Sequence, residues 1–199
     1  TSPPQASGDN DFVFKIAGIH VPTGARGPHA GVAAVSPDYF TTVGIPMRRG
    51  RAFTAADRDT ANDAAIVSER MVKEYWGDRD PIGTRITPDS GRSWFTVVGV
   101  AGNVRHRLTD PEVADVVYVP VAAVSSWDLR VFLRATAPLP LVEQALRAAV
   151  RDVDPQQPVS NVQSLEQVRG AQLAEPRLTT TLVAAFAMIA LVLTATGLS

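Results

Sequence analysis

The sequence TTTLVAAFAMIALVLTATGLS, from Thr179 to Ser199, is the stretch on which the prediction of the fold depends. It contains no charged residue, and every residue from Leu182 to Leu193 is apolar. A helix needs about 20 mostly apolar residues to cross a bilayer, and a helix that is apolar all round is either deeply buried or membrane-spanning. We therefore expect residues 178–199 to begin a transmembrane helix and residues 1–177 to form a water-facing domain. The alternative is a buried core helix of a soluble protein.

Composition excludes several classes of function. The chain has 19 Lys and Arg residues against 20 Asp and Glu residues, whereas a nucleic-acid binder shows a basic excess or patch. We therefore expect no nucleic-acid partner. The absence of cysteine removes disulfides, thiol nucleophiles, zinc fingers and iron–sulfur clusters together. The polar N-terminus shows no basic-then-apolar signal sequence.

The residues before the apolar run predict short strands mixed with helices. Strands are expected at residues 12–19, 30–35, 64–67, 84–87, 94–100, 116–119, 129–135 and 159–162. Helices are expected at residues 37–43, 69–76 and 141–153, and a further helix is expected after Ser164. Because the order shows no regular strand–helix–strand repeat, the pattern favours an α+β fold.

Local signals support these helices. Gly44 is expected to end the first helix, and Ser68 to cap the second. Helix 141–153 has an apolar stripe that we expect to pack on a core. Ser164 and Gln167 have the spacing of a capping box. In the predicted strand 129–135, apolar residues such as Val131 alternate with arginines.

No motif predicts a catalytic, cofactor or metal site. A phosphate-binding loop of the Walker type is absent, so no ATP site of that kind is expected in this chain. Gly99 and Gly102 lack the third glycine of a dinucleotide-binding loop, and a β-turn explains them better. His20, His29 and His106 show no metal-ligand spacing and are expected to be solvated on the surface.

Two charged clusters and three serines also receive structural interpretations. Asp57, Asp59 and Asp63 could serve as calcium ligands, but their segment lacks the glycine and glutamate of an EF-type loop, so we expect a solvated loop there. The basic cluster is short for a lipid-headgroup site and predicts a solvated turn. Its members are Arg48, Arg49 and Arg51. The serines at positions 36, 68 and 164 are explained as helix caps.

Several segments follow one another along nearly all of residues 32–199. They are VSPDYFTTVGIPMRRGRAFTAAD (Val35–Asp57), AAIVSERMVKEYWGDRDPIGTRI (Ala64–Ile86), FTVVGVAGNVRH (Phe95–His106), VYVP (Val117–Pro120), VDPQQPVSNVQSLEQV (Val153–Val168) and the apolar run. In this order and spacing they resemble the extracytoplasmic core domain of MacB-like ABC transporter permeases, which belong to the broader FtsX-like group. Pro176 departs from the family pattern, because a continuous helix is usual there.

The resemblance implies a mixed, two-lobed α+β domain, with one lobe inserted in the other, between two membrane helices. The first helix would precede Thr1 and the second would begin near Leu178. The implied location is the bacterial inner membrane, with residues 1–177 on the periplasmic side. The domain would be non-catalytic and free of cofactors, and would transmit ATP-driven conformational change for efflux or for lipoprotein or peptide export. The implied partners are an ABC ATPase in the same or another chain, a second permease subunit in a dimer, membrane lipid and a periplasmic adaptor.

The mechanism expected from this reading is mechanical. A helix from Ser164 through Leu193 would carry movement of the membrane helices rigidly into the domain. Two alternatives come from other classes: a membrane-anchored extracytoplasmic sensor or adaptor, and a soluble hydrolase with a buried C-terminal helix. The sequence names neither the transported substrate nor the ATPase.

Overall fold

A computed structural model describes residues 11–19, 27–58, 63–88, 91, 93–104, 114–123 and 130–168. The expected membrane segment 178–199 lies outside these residues. Across the described ranges, no helix is long and apolar enough to cross a membrane. The chain divides into two units, one made of Thr1–His106 and Asp110–Arg134, the other of Arg107–Thr109 and Ala135–Ser199.

The centre of the first unit is strand β5 (Ala64–Ser68), in which all five residues are buried. Its neighbours are β7 (Phe95–Ala101), which runs parallel to it, and β8 (Val116–Pro120), which runs antiparallel. Strand β3 (His29–Val35) lies beyond β8 and is parallel to it. A strand covered on both faces is expected to be continuously apolar, as β5 and β8 are.

The two edges of this sheet meet at the N-terminal segment. Strand β1 (Asp11–Val13) pairs antiparallel with β3 at one edge. At the other edge, β6 (Arg85–Thr87) pairs with β7, and β2 (Lys15–Ile16) pairs with β6. Because only Phe14 separates β1 from β2, one short segment joins both edges and the sheet closes on itself. Closure by hydrogen bonding protects strand edges that would otherwise invite pairing with other chains.

The core occupies both faces of the sheet, because successive residues of a strand point to opposite sides. Ala65 and Val67 of β5 pack on one face, against the N-terminal segment and the helical segment α2 (Glu69–Met71) with its π-helical continuation (Val72–Trp76). Ala64 and Ile66 pack on the other face against helix α1 (Tyr39–Val43). A further strand, β4 (Met47–Gly50), pairs with the end of β7.

Most of the predicted elements of the first unit are present, and the α+β class is confirmed. Gly44 ends α1 with a φ of 82°. Ser68 caps α2: its Oγ accepts from the Met71 N–H at 3.4 Å and also from the Val116 N–H at 3.2 Å. Trp76, at the end of the π-helical segment, is buried. The described part of this unit also contains two short 3-10 turns, at Ala55–Arg58 and Val121–Ala123.

The second unit contains helix α3 (Leu139–Val153), as predicted, but the expected burial of its stripe is wrong. No residue from 135 to 168 is buried, and the side chains of Leu141 and Val153 are 59% and 87% exposed. The predicted strand 159–162 is not formed. The capping box is confirmed: the Ser164 N–H donates to Gln167 Oε1 at 2.8 Å, and the Gln167 N–H donates to Ser164 Oγ at 3.2 Å.

Candidate functional site

Strand β4 carries arginines that bind carboxylates of neighbouring elements. Arg48 Nε lies 3.5 Å from Glu69 Oε2 at the start of α2, and Arg49 Nη2 lies 3.4 Å from Asp80 Oδ1 in the turn that follows the π-helical segment. The prediction of a solvated turn is therefore wrong for the backbone, although both guanidinium groups remain half exposed. Exposed pairs of this kind contribute little to stability, about 0–1 kcal/mol each.

The third arginine of the cluster belongs to a more buried network. Arg51 donates to both carboxylate oxygens of Asp57, at 2.7 and 3.0 Å. The N–H and the hydroxyl of Thr54 each donate to Asp57 Oδ2 at 2.7 Å. Asp57 is only 4% exposed, so the expected solvated loop is wrong at this residue. Asp63 is exposed as expected, and Asp59 lies outside the described residues.

This network fixes the charge of its members. The hydrogen bonds from Arg51 hold the pKa of Asp57 well below its usual range, although burial acts in the opposite direction and Thr54 adds to the lowering. The same hydrogen bond raises the pKa of Arg51. Charge-assisted bidentate pairs combine energy with fixed geometry. The arrangement therefore clamps the 3-10 turn Ala55–Arg58 to the end of β4 and leaves Asp57 ionised at neutral pH.

Two glycines bring β4 close to β7. A Cβ atom on Gly99 would collide with the carbonyl oxygen of Arg51, and one on Gly50 would collide with the carbonyl oxygen of Val98. Gly102 faces Pro46, whose Cγ would lie 2.9 Å from an added Cβ. The expected β-turn is therefore wrong for Gly99, which lies inside β7. Close backbone approach is the physical reason for glycine here.

An aromatic cluster covers the face of the sheet on which α1 packs. Tyr39 and Phe40 of α1 contact Tyr118 of β8 at centroid distances of 6.1 and 5.0 Å. Phe132 meets Tyr39 edge-on at 5.8 Å, and Phe53 lies 6.2 Å from Phe40. Burial raises the pKa of Tyr39 to about 12, and burial followed by the proximity of Tyr39 raises the pKa of Tyr118. Both hydroxyls stay protonated at neutral pH, so the cluster is built for packing.

Phe132 corrects one sequence prediction. Residues 130–135 form no strand, and the side chain that packs on the core is Phe132 rather than the apolar face of Val131 and Leu133. Those two side chains are 54% and 55% exposed. The alternation of the sequence is real, but the aromatic residue between the two arginines faces inward.

A polar cluster joins α2 to the ends of β7 and β8. The Arg70 guanidinium lies 3.8 Å from Glu74 and 3.8 Å from the nearly buried Asp115, and the Arg70 N–H donates to Asn103 Oδ1 at 2.7 Å. His29, the first residue of β3, has a buried Nδ1 without a hydrogen-bond partner. Its prediction as a solvated histidine is therefore wrong, while His20 and His106 lie outside the described residues.

These polar groups connect elements rather than converge on one reacting centre. Arg48, Arg49, Arg51 and Arg70 each pair with a carboxylate, and each pair joins two parts of the sheet unit. In the described ranges, no group of three or more histidine or carboxylate side chains is placed to hold a metal ion. These ion pairs could not be predicted from the sequence, because a charge pattern does not reveal which carboxylate an arginine will meet.

The sequence matches a known protein family and a known transporter. The sequence model of the MacB-like periplasmic core domain matches residues 5–149. A curated relative, the pyoverdine export ATP-binding/permease protein PvdT of Pseudomonas aeruginosa, is 27% identical over 97 residues, which are 49% of this chain. That match spans only 14% of the relative's length.

A solved structure shares the fold. The crystal structure of the periplasmic region of MacB from Actinobacillus actinomycetemcomitans superposes with a TM-score of 0.51 at 15% sequence identity. The superposition covers 72% of this chain and 63% of that one. At this identity the likeness concerns the fold alone.

Proposed function

The chain belongs to the MacB-like periplasmic core domain family, and from this premise we propose that it is the extracytoplasmic domain of an ABC transporter permease subunit. The match over residues 5–149 is the observation that carries the proposal, because it includes all the strands of the closed sheet. The braced, paired polar groups support a non-catalytic role. Such a domain would act by binding and by changing shape.

The finer proposal concerns the membrane and the partners. Residues 1–177 would lie on the periplasmic side of the bacterial inner membrane as a two-lobed core domain. Residues 178–199 would begin the transmembrane helix that follows it. The ATPase, in the same chain or a separate one, would act with a dimer of permease subunits and with membrane lipid, and a periplasmic adaptor would dock outside.

The proposed mechanism is transmission of movement. ATP-driven rearrangement on the cytoplasmic side would shift the membrane helices, and a stiff helix opened by the Ser164–Gln167 capping box would carry that shift into the domain. The cargo would belong to the classes handled by efflux pumps or by lipoprotein and peptide exporters. PvdT, whose name assigns it pyoverdine export, supports an export direction.

The mechanism is tested by softening the proposed helix without changing its length. In the full-length permease, replacing Arg177 and Leu178 by two glycines should abolish transport while ATP hydrolysis and membrane insertion persist, because glycine destabilises a helix by about 1 kcal/mol per residue. Replacement of the same two residues by alanines is the matched control and should preserve transport. Equal transport by the two variants would disprove rigid transmission.

The assignment itself is tested by gentle extraction of the full-length protein in detergent from its own host. An ATPase that co-purifies, or is fused to the protein, supports the transporter; removal of residues 1–178 then shows whether this domain controls ATP hydrolysis. The second candidate function is a membrane-anchored extracytoplasmic sensor or adaptor. Extraction of the protein alone, without an ATPase, would favour that function.

A further inference from the structure

Residues 130–134, which we name the strap, are the last residues of the sheet unit before the chain enters the second unit at Ala135. None of them belongs to a strand. Val131 and Leu133 are more than half exposed, whereas Phe132 between them is partly buried against the core on the α1 side of the sheet. This alternation is typical of an extended chain that lies on a surface.

Phe132 anchors the strap on two structural elements. Its ring contacts Tyr39 of α1 in an edge-to-face arrangement, with centroids 5.8 Å apart and planes at 70°. Tyr39 in turn packs on Tyr118 of β8, which lies between β3 and β5 in the sheet. An edge-to-face aromatic pair has a defined geometry and adds to the stabilisation from area burial. A displacement of the strap therefore reaches α1 and an inner strand through a single ring.

The side chain of Arg134 lies beside the C-terminal end of α1. A Cβ atom added to Gly44, the C-cap of α1, would lie 3.4 Å from Arg134 Nη2. The guanidinium group therefore sits beside the helix end where carbonyl groups accumulate partial negative charge, a favourable place for a cation. Phe132 and Arg134 both place the strap next to α1, one against Tyr39 and one at the C-terminal end of the helix.

We propose that the strap is a reversible coupling latch whose anchor is Phe132. When the strap is docked, a displacement of the residues C-terminal to it is passed on to α1 and β8. When the strap is released, those residues move independently of α1 and β8. The latch is held by side-chain contacts and not by a strand ladder, so it can open while the sheet remains folded. This inference rests on the proposed transmission of movement and names the residue through which the sheet unit takes part.

Docking is tested in the chain as it stands by limited trypsin digestion, because Arg130 and Arg134 are cleavage sites at either end of the strap. Phe132→Ala should accelerate cleavage after these arginines by about ten-fold, since proteolysis follows the population of the open form. Leu133→Ala, a neighbouring exposed position, is the matched control and should stay within about two-fold of the parent chain. Phe132→Leu should restore part of the protection. Equal cleavage of all four proteins would overturn the latch.

Coupling is tested in the full-length permease with the same variants. Phe132→Ala should lower transport at unchanged ATP hydrolysis, and Leu133→Ala should not. A Phe132→Ala variant that is cleaved faster but transports normally would overturn the coupling role. That outcome leaves the proposed function intact if the double-glycine variant at Arg177 and Leu178 is inactive. If the double-glycine variant transports as well as its alanine control, the proposed transmission fails on its own test. A far-UV circular dichroism spectrum and a cooperative urea transition like those of the parent chain verify that each variant is folded.

Discussion

Asp57 shows how one side chain can hold a turn to a sheet. It accepts two hydrogen bonds from Arg51 and two from Thr54 while almost fully buried. Asp57→Asn removes the charge and half of the acceptor capacity, so Arg51 and Thr54 lose partners. We expect a loss of about 1–3 kcal/mol in the free energy of unfolding, as for hydrogen bonds to charged groups. Urea titration measures it, with the exposed Asp63→Asn as control; equal effects at the two positions would refute the role of Asp57.

The same residue predicts a dependence of stability on pH. The pKa of Asp57 is lowered in the folded protein, chiefly by Arg51, while in the unfolded chain it returns to about 3.9. A lowered folded-state pKa adds stability above the unfolded value, and this addition is lost as pH falls toward the folded-state value. The difference between the parent and Asp57→Asn should therefore be constant from pH 7 to about pH 5 and shrink below about pH 4. A difference that grows on acidification would contradict this assignment.

Between elements, the approach of β4 to β7 depends on the absence of side-chain atoms at Gly99 and Gly50. Gly99→Ala places a methyl group on the carbonyl oxygen of Arg51, so β4 must move away from β7 and the Arg51–Asp57 pair must move with it. We expect a loss of more than about 2 kcal/mol in unfolding free energy. Gly83→Ala, where space is open but φ is 80°, is the control for strain alone and should cost about 1 kcal/mol. Comparable losses would mean that close approach is unimportant.

The elements also show how far the sequence predicts the fold. Strands β5, β7 and β8 were predictable because a central strand, covered on both faces, is mainly apolar. The capping roles of Ser68 and Ser164 were predictable because a cap bonds only to residues of its own turn. The predicted strand 129–135 was wrong because the alternation fits either of two arrangements, one with Val131 and Leu133 facing the core and one with Phe132 facing it. Only the contact with Tyr39 decides that Phe132 faces inward. The buried stripe of α3 failed because periodicity predicts an apolar face but not what covers it. The site residues Arg51 and Asp57 were noted, but their pairing depends on the turn between them.

At the scale of the molecule, the described core belongs to one unit. Every buried residue of the described ranges precedes Val121 in the chain, whereas none is buried from 135 to 168. A chain that ends at Arg134 should therefore keep a cooperative urea transition, with a midpoint close to that of the 199-residue chain, because hydrophobic burial is the dominant stabilising term. Tryptophan fluorescence, to which the buried Trp76 contributes, reports this transition. A broad, non-cooperative transition of the shortened chain would show that the second unit is needed for folding.

The strand order of the closed sheet also determines when the sheet can form during synthesis of the chain. Among the described strands β8 is the last in chain order, yet it lies between β3 and β5, so the path from β1 to β2 is incomplete until β8 is made. About 100 residues separate Ile16 from Val116, which corresponds to about 5–20 s of synthesis at about 5–20 residues per second. Once β3 and then β5 have been made, their edges lack β8 as a partner, and the N-terminal segment cannot bridge the two edges of the sheet until β8 is in place. Until residue 120 has emerged, these unpaired strand edges are therefore open to pairing with other chains.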